Sequence, residues 1–251
     1  MRSDQSETMS NIESGRKIMK NTLYPISMQQ RGTLTLSVLT LLFLLLTGTA
    51  TFAEDENPLP MFKPESVSVF LSPSNQIHNV GFGDYGTEKE RMNDVCDVIV
   101  PILKEHGVTV YRNDPEKNLK DYVAEANEKN VDLYFAIHSN AANQKARGTE
   151  CFCYRFGGEG ERFAKRVNAA LVAIYDGPNR GVKESHSHFG PGKPLYETAN
   201  PKAPAALVEV AFHDEKRDAT WILENRELIG KVLANAILEH LAAEHPDAVQ
   251  K

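Results

Sequence analysis

The chain has 251 residues, which fits one domain plus a tail at about 100–200 residues per domain, and its formal net charge is −6. Its first 53 residues hold five basic and three acidic groups, so the remainder stands at −8 and offers no general attraction for phosphate backbones, which argues against nucleic-acid binding. The 41% hydrophobic and 25% charged content does not suggest long disorder, and three cysteines (Cys96, Cys151, Cys153) are too few for a disulfide framework.

Leu34 to Leu46 is an uncharged apolar run just after Arg31, close to the length of a signal-peptide core. Small residues follow, ending at Ala53, and cleavage there would leave the acidic start Glu54–Pro58. The alternative is an uncleaved anchor, because Gly32 to Ala53 is 22 residues, enough to span a bilayer and touch the membrane through this segment. The region before the run is over-long and holds Met1, Met9, Met19 and Met28; initiation at Met19 or Met28 would shorten it. Either way the globular part is expected outside the cytoplasmic membrane, secreted or wall-associated, where functions that need ATP or NAD are disfavoured. The organisation expected is an export segment over 1–53, a linker over 54–65, one domain over 66–244 and a tail over 245–251.

Val67–Leu71 is β-branched and aromatic and stops at Ser72-Pro73, as a strand must. A Gly- and Asn-rich loop runs to Gly86. Its Gly81–Gly86 segment spells GxGxxG, but it trails the strand by several residues and reads as a loop. Thr87 with Glu90 forms a capping box, and Met92, Val95, Cys96, Ile99, Ile102 and Leu103 mark one helix face ending near His106-Gly107. Val108–Tyr111 reads as a strand and Leu119–Asn127 as a helix. Val131–Ile137 is nearly continuous and apolar, the pattern of a strand buried on both faces. Gly148–Tyr154 reads as a strand and Phe163–Ile174 as a helix. Residues 176–194 read as a long Gly-, Pro-, His- and Lys-rich loop, Ala205–Phe212 as a buried strand, and Trp221–Leu241 as closing helices. The alternation predicts a single α/β domain: a mostly parallel twisted sheet of about six strands with helices on both faces and its site at the strand ends. Cys151 and Cys153 share a strand face and read as small buried hydrophobes.

Three polar residues interrupt this pattern. Glu88 opens the first helix, His138 ends an apolar run, and Glu209 sits inside Leu207–Phe212. A carboxylate within a buried strand is costly unless it is paired, protonated or near a metal. Together the three suit a zinc site, with Glu and His as ligands and a second carboxylate as proton shuttle.

The segments Phe70–Pro73, Gly86–Glu88, Tyr111-Arg112, Ala126-Asn127, Ala136–Asn140, Gly148–Glu150 and Pro204–Phe212 occur in an order and spacing that resembles the zinc-dependent N-acetylmuramoyl-L-alanine amidases of the amidase_3 family, over residues 67 to about 242. The resemblance implies that Glu88 and His138 hold one zinc ion, that Glu209 is the catalytic carboxylate, and that the substrate is peptidoglycan, cut between N-acetylmuramic acid and L-alanine. One departure stands out. Where the family usually has Asp-Pro-Gly-His, whose His is the first zinc ligand, this chain has Ser72–Asn79 with no His in the expected place. It resembles a divergent branch with a Ser-Pro-Ser-x-Gln segment and, at Phe212–Asp214, a Phe/Tyr-His-Asp segment. The third ligand lies between the Gln76 amide, a poor zinc donor, and His213, which follows Glu209 at an even spacing; His78 would need a loop shift. Asn140, Arg180, Lys183, His186 and His188 are candidate substrate contacts, although His186 and His188 also read as surface loop. Two other functions suit the same residues: a metal-free peptidoglycan-binding or regulatory module, and a zinc peptidase.

Overall fold

The computed structural model describes residues 58–251. The expected export segment, with its cleavage or anchoring, and the start of the linker lie outside the described residues. In chain order the elements are β1 (Ser68–Pro73), α1 (Glu88–Glu105), β2 (Thr109–Arg112), α2 (Leu119–Lys129), β3 (Leu133–Asn140), β4 (Thr149–Cys153), α3 (Glu159–Val172), β5 (Asn179–Glu184), the short helices α4 (Ser185–His188) and α5 (Tyr196–Ala199), β6 (Ala205–Phe212) and α6 (Lys216–Glu244).

The six strands form one sheet in the order β2-β1-β3-β6-β4-β5. Every pairing is parallel except β4 with β6. Side chains alternate between faces along each strand, and the two faces differ in weight. Leu133, Phe135 and Ile137 of β3 enter a large cluster with Val95 and Ile99 of α1, Phe163 and Val167 of α3, and Leu233 and Ile237 of α6. Tyr134 and Ala136 enter a smaller cluster with Phe70, Phe152, Leu207 and α2 residues Tyr122, Val123 and Ala126. Helices therefore cover both faces, as the apolar patterning predicts.

Two expected elements differ. Residues 176–194 are not one long loop: they contain β5 and α4. β5 is an edge strand that pairs only with β4 and is exposed or half-buried along its length, so its sequence Asn-Arg-Gly-Val-Lys-Glu has no apolar alternation to betray it. The closing helices are one 29-residue helix, α6, broken locally at Asn225, where φ is −116° and ψ 15°. The expected linker and tail meet: Lys63 N donates to Ala248 O at 2.9 Å, Gln250 N to Met61 O at 2.8 Å, and Phe62 is fully buried. Cys96, Cys151 and Cys153 are free and buried.

α1 carries a site residue at its first position and is held firmly. Thr87 and Glu90 make both bonds of the capping box. Further along, α1 packs on α6 at Gly230, where an added Cβ would lie 2.5 Å from Val98 Cβ and 3.0 Å from the Val95 carbonyl. Only glycine allows that approach.

Candidate active site

Strand register builds the centre. His138 of β3 stands opposite Glu209 of β6, and Glu209 stands opposite Glu150 of β4. Opposed residues project from the same sheet face, so one row across three strands reads imidazole, carboxylate, carboxylate. Because β4 runs antiparallel to β6, it brings Glu150 from its amino end to the edge where β3 and β6 deliver from their carboxyl ends. The ladder becomes irregular just beyond, between His138 and Asn140.

Glu88 reaches the row from the start of α1. The loop after β1 lies across that helix start: Asn79 O accepts from Glu88 N at 2.9 Å, and Gln76 O from Lys89 N at 3.4 Å. Asn79 Nδ2 donates to Glu88 Oε2 at 2.7 Å. His138 Nδ1 donates to Glu88 Oε1 at 2.8 Å, and Gln76 Nε2 stands 3.4 Å from that oxygen and 3.5 Å from Nδ1. Gln76, Glu88 and His138 thus converge on one point. Burial opposes the charge of Glu88, but hydrogen bonds from His138 and Asn79 and the His138 charge hold its carboxyl below the usual range. His138 keeps 14% of its side chain exposed and Glu88 only 1%.

The other ring nitrogen meets a residue that sequence reasoning missed. His138 Nε2 donates to Glu197 Oε2 of α5 at 2.9 Å. Burial disfavours a charged imidazole, but the bonds to Glu197 and Glu88 outweigh it and hold His138 well above its ordinary value.

Glu209 is the unsatisfied member. Its Oε2 is shielded from solvent and has no hydrogen-bond partner. Burial pushes its carboxyl up to about 8; the His138 charge opposes this, and Glu88, Glu150 and Glu197 add repulsion. Its neighbour Glu150 is fully compensated. Asn140 Nδ2 donates to Glu150 Oε1 at 2.7 Å, and Arg180 Nε (2.7 Å) and Lys183 Nζ both reach Oε2. Burial opposes its charge, but Lys183 and Arg180 hold Glu150 below the usual range.

The remaining expected residues occupy distinct places. Asn140, Arg180 and Lys183 meet on Glu150. His186 packs edge-on against Tyr154 at 5.4 Å, and His188 lies 5.3 Å from the Phe152 ring, both outside the cluster of Gln76, Glu88 and His138. His213 is buried, its Nδ1 is 2.9 Å from Ser139 Oγ, and its ring stacks on Tyr85 at 5.4 Å. His78 is exposed in the loop after β1.

The donor set can be tested against a zinc ion. Among the described residues, no three His, Cys, Asp or Glu side chains are grouped so as to hold a metal by themselves. Two donors of the right kind, Glu88 Oε1 and His138 Nδ1, do meet, and the Gln76 amide lies beside them with its Nε2 facing both, its oxygen accepting from Asn79 Nδ2 at 2.9 Å, so that it could serve only after an amide turn. The orphaned Glu209 oxygen beside them lacks the positive or protic partner that a buried carboxylate needs. The set fits a divalent ion, with one weak ligand among three.

An α/β sheet that gathers an imidazole, a helix-start glutamate and an unpaired strand glutamate at one edge has the layout of a hydrolytic centre. The chain belongs to the N-acetylmuramoyl-L-alanine amidase family, Amidase_3, whose description residues 72–239 match. An uncharacterised protein of Clostridium perfringens is 36% identical over 121 residues, 47% of this chain and 34% of its own length. The germination-specific N-acetylmuramoyl-L-alanine amidase of Bacillus subtilis is 29% identical over 121 residues, 48% of each chain. The chain spans between 34% and 63% of the length of the curated relatives it matches. Among solved structures, the amidase AmiC2 of Nostoc punctiforme aligns with a TM-score of 0.62 at 20% identity, covering 71% of this chain and 99% of that one, a likeness of fold.

Proposed function

We propose that this chain is an exported peptidoglycan hydrolase that cleaves the amide between N-acetylmuramic acid and L-alanine, using zinc and a glutamate base. The observation that carries the reading is the meeting of Glu88 Oε1 and His138 Nδ1 at 2.8 Å, with the unpartnered carboxylate of Glu209 opposite His138 on the next strand. Family membership supports the substrate class, and the apolar run 34–46 supports export.

In this reading Glu88, His138 and Gln76 hold the metal, because Gln76 lies beside both Glu88 and His138, whereas the His213 ring stacks on Tyr85 and bonds Ser139. When bound, zinc supplies Lewis acidity to the water and to the scissile carbonyl. Glu209 takes a proton from the attacking water and passes it to the L-alanine nitrogen as the C–N bond breaks. Its shielded oxygen keeps the carboxylate basic enough for that transfer. Glu150, neutralised by Arg180 and Lys183, fixes the wall beside Glu209 without competing for the proton.

Metal analysis of residues 54–251 tests the reading. One zinc per chain, lost in Gln76→Ala and retained in His213→Ala, is the expected result, together with zinc-dependent release of new L-alanine amino termini from sacculi. The weak Gln76 donor favours one rival, a metal-free peptidoglycan-binding module. Absence of bound zinc and of zinc-restorable activity would favour that rival instead.

A further inference from the structure

We propose that Glu197 is a positioning residue that fixes the His138 ring for metal binding, an inference that rests on the zinc reading above. Glu197 is only 4% exposed, yet all its bonds are directed. Its Oε1 accepts from Ser72 Oγ at 2.6 Å and from Tyr134 Oη at 2.8 Å, and its Oε2 accepts from His138 Nε2 at 2.9 Å. The donors come from β1 and β3, far away in sequence. One oxygen is therefore saturated by two hydroxyls, which orients the other at the imidazole.

The short helix α5 that carries Glu197 is pinned on both sides. Ser185 and Thr198 share a hydrogen bond at 2.6 Å, and the Thr198 hydroxyl donates to Leu195 O at 2.9 Å. Beyond the helix, Lys202 N donates to Asn127 Oδ1 at 2.6 Å. These bonds anchor the backbone on either side of Glu197.

The chemistry follows from the two ring nitrogens. An incoming ion would displace the Nδ1 proton that now bonds Glu88, and a carboxylate on Nε2 keeps the remaining ring proton there, so that the Nδ1 lone pair turns to the ion. The carboxylate also makes Nδ1 a stronger donor, an effect worth about 10–100-fold in metal affinity at such sites. A centre whose third ligand is an amide depends on that reinforcement more than one with three strong donors. Glu197 supplies no ligand itself; it acts through His138.

Zinc affinity measured by chelator competition on Glu197→Ala and Glu197→Gln, beside wild type, tests this. Both variants are expected to bind zinc about 10–100-fold more weakly, because alanine removes the acceptor and a glutamine whose oxygen keeps the two hydroxyls turns its NH2, which cannot accept, toward Nε2. A purely structural role would lower the melting temperature and leave zinc affinity of the folded protein unchanged. Glu197→Gln keeps the shape and the hydroxyl contacts, so it decides the matter if the alanine variant does not fold. A second readout is the His138 Nε2 proton, expected far downfield in wild type and lost from that position in Glu197→Ala. Zinc affinity within threefold of wild type in the folded variants, or an unmoved Nε2 resonance, overturns the inference. If wild type itself binds no zinc, the metal reading fails, and the proton resonance alone decides the role of Glu197.

Discussion

Glu209 pits stability against chemistry within a single side chain. A buried carboxylate oxygen with no partner is destabilising, and three neighbouring carboxylates add repulsion. Glu209→Gln removes the titratable carboxyl, which burial has pushed up to about 8, and keeps the shape. It is expected to lower muralytic activity by at least about 100-fold, the lower end of what general acid–base groups contribute. Unfolding free energy should hold steady or rise by up to about 2 kcal/mol, as when other functional strain is relieved. Denaturant titration and a sacculus assay on one preparation check both halves; retained activity would remove Glu209 from the mechanism. Glu209 and His138 stand out in the sequence because they sit in or at the end of apolar runs, whereas Glu88, the first helical residue inside a capping box, is singled out only together with them and by the family resemblance. Glu197 was not legible. Its burial depends on Ser72, 125 residues away, and Tyr134, 63 residues away, while Tyr-Glu-Thr-Ala carries no periodicity of its own.

The helices and strands that carry these residues are held together by two devices with measurable costs. Asp218, fully buried near the start of α6, accepts from Arg147 Nε at 2.7 Å, Tyr175 Oη at 2.7 Å, Gly148 N at 3.0 Å and Phe212 N at 3.1 Å. It thereby ties α6 to the ends of β4 and β6, which hold Glu150 and Glu209. Asp218→Ala leaves four donors without their shared acceptor and is expected to cost about 3–5 kcal/mol in urea unfolding. At the crossing of α1 and α6, Gly230→Ala forces a methyl against Val98 and should cost about 1–3 kcal/mol. If Gly230→Ala melts like wild type, the two helices do not pack as closely as described. Most elements could be read from sequence because apolar spacing drives them. β5 could not, since an edge strand paired on one side needs no apolar pattern, and the break at Asn225 in α6 leaves the flanking helical periodicity intact.

For the molecule as a whole, acid sensitivity follows from a histidine remote from the candidate centre. His240 of α6 is 1% exposed, packs 4.9 Å from the Phe163 ring and lies 3.3 Å from Glu159. Burial holds its pKa down at about 4, with Glu244 opposing and Arg166, Arg162 and His245 assisting. An unfolded histidine titrates near 6.5, so between those values only the unfolded chain takes up the proton. Stability therefore falls as pH drops from about 6.5 to about 4, by at most about 3 kcal/mol from this residue. His240→Gln should flatten that slope, and the difference between variant and wild-type curves of unfolding free energy against pH isolates it; identical curves would mean that His240 is freely protonated in the folded state. The paired termini add a second whole-molecule expectation. Removing residues 245–251 uncovers Phe62 and frees four backbone and side-chain bonds to residues 61–63, and should lower the melting temperature by several degrees.

The unequal faces of the sheet have a consequence for inheritance. Along β3, Leu133, Phe135 and Ile137 point into the larger cluster, whereas His138 and Asn140 belong to the series that starts at Tyr134. Damage from random substitution should therefore alternate with chain parity: odd positions lost through misfolding, even positions near the strand end lost as stable but inert protein. A saturation library sorted separately for abundance and for activity would print that two-residue beat directly onto the sequence.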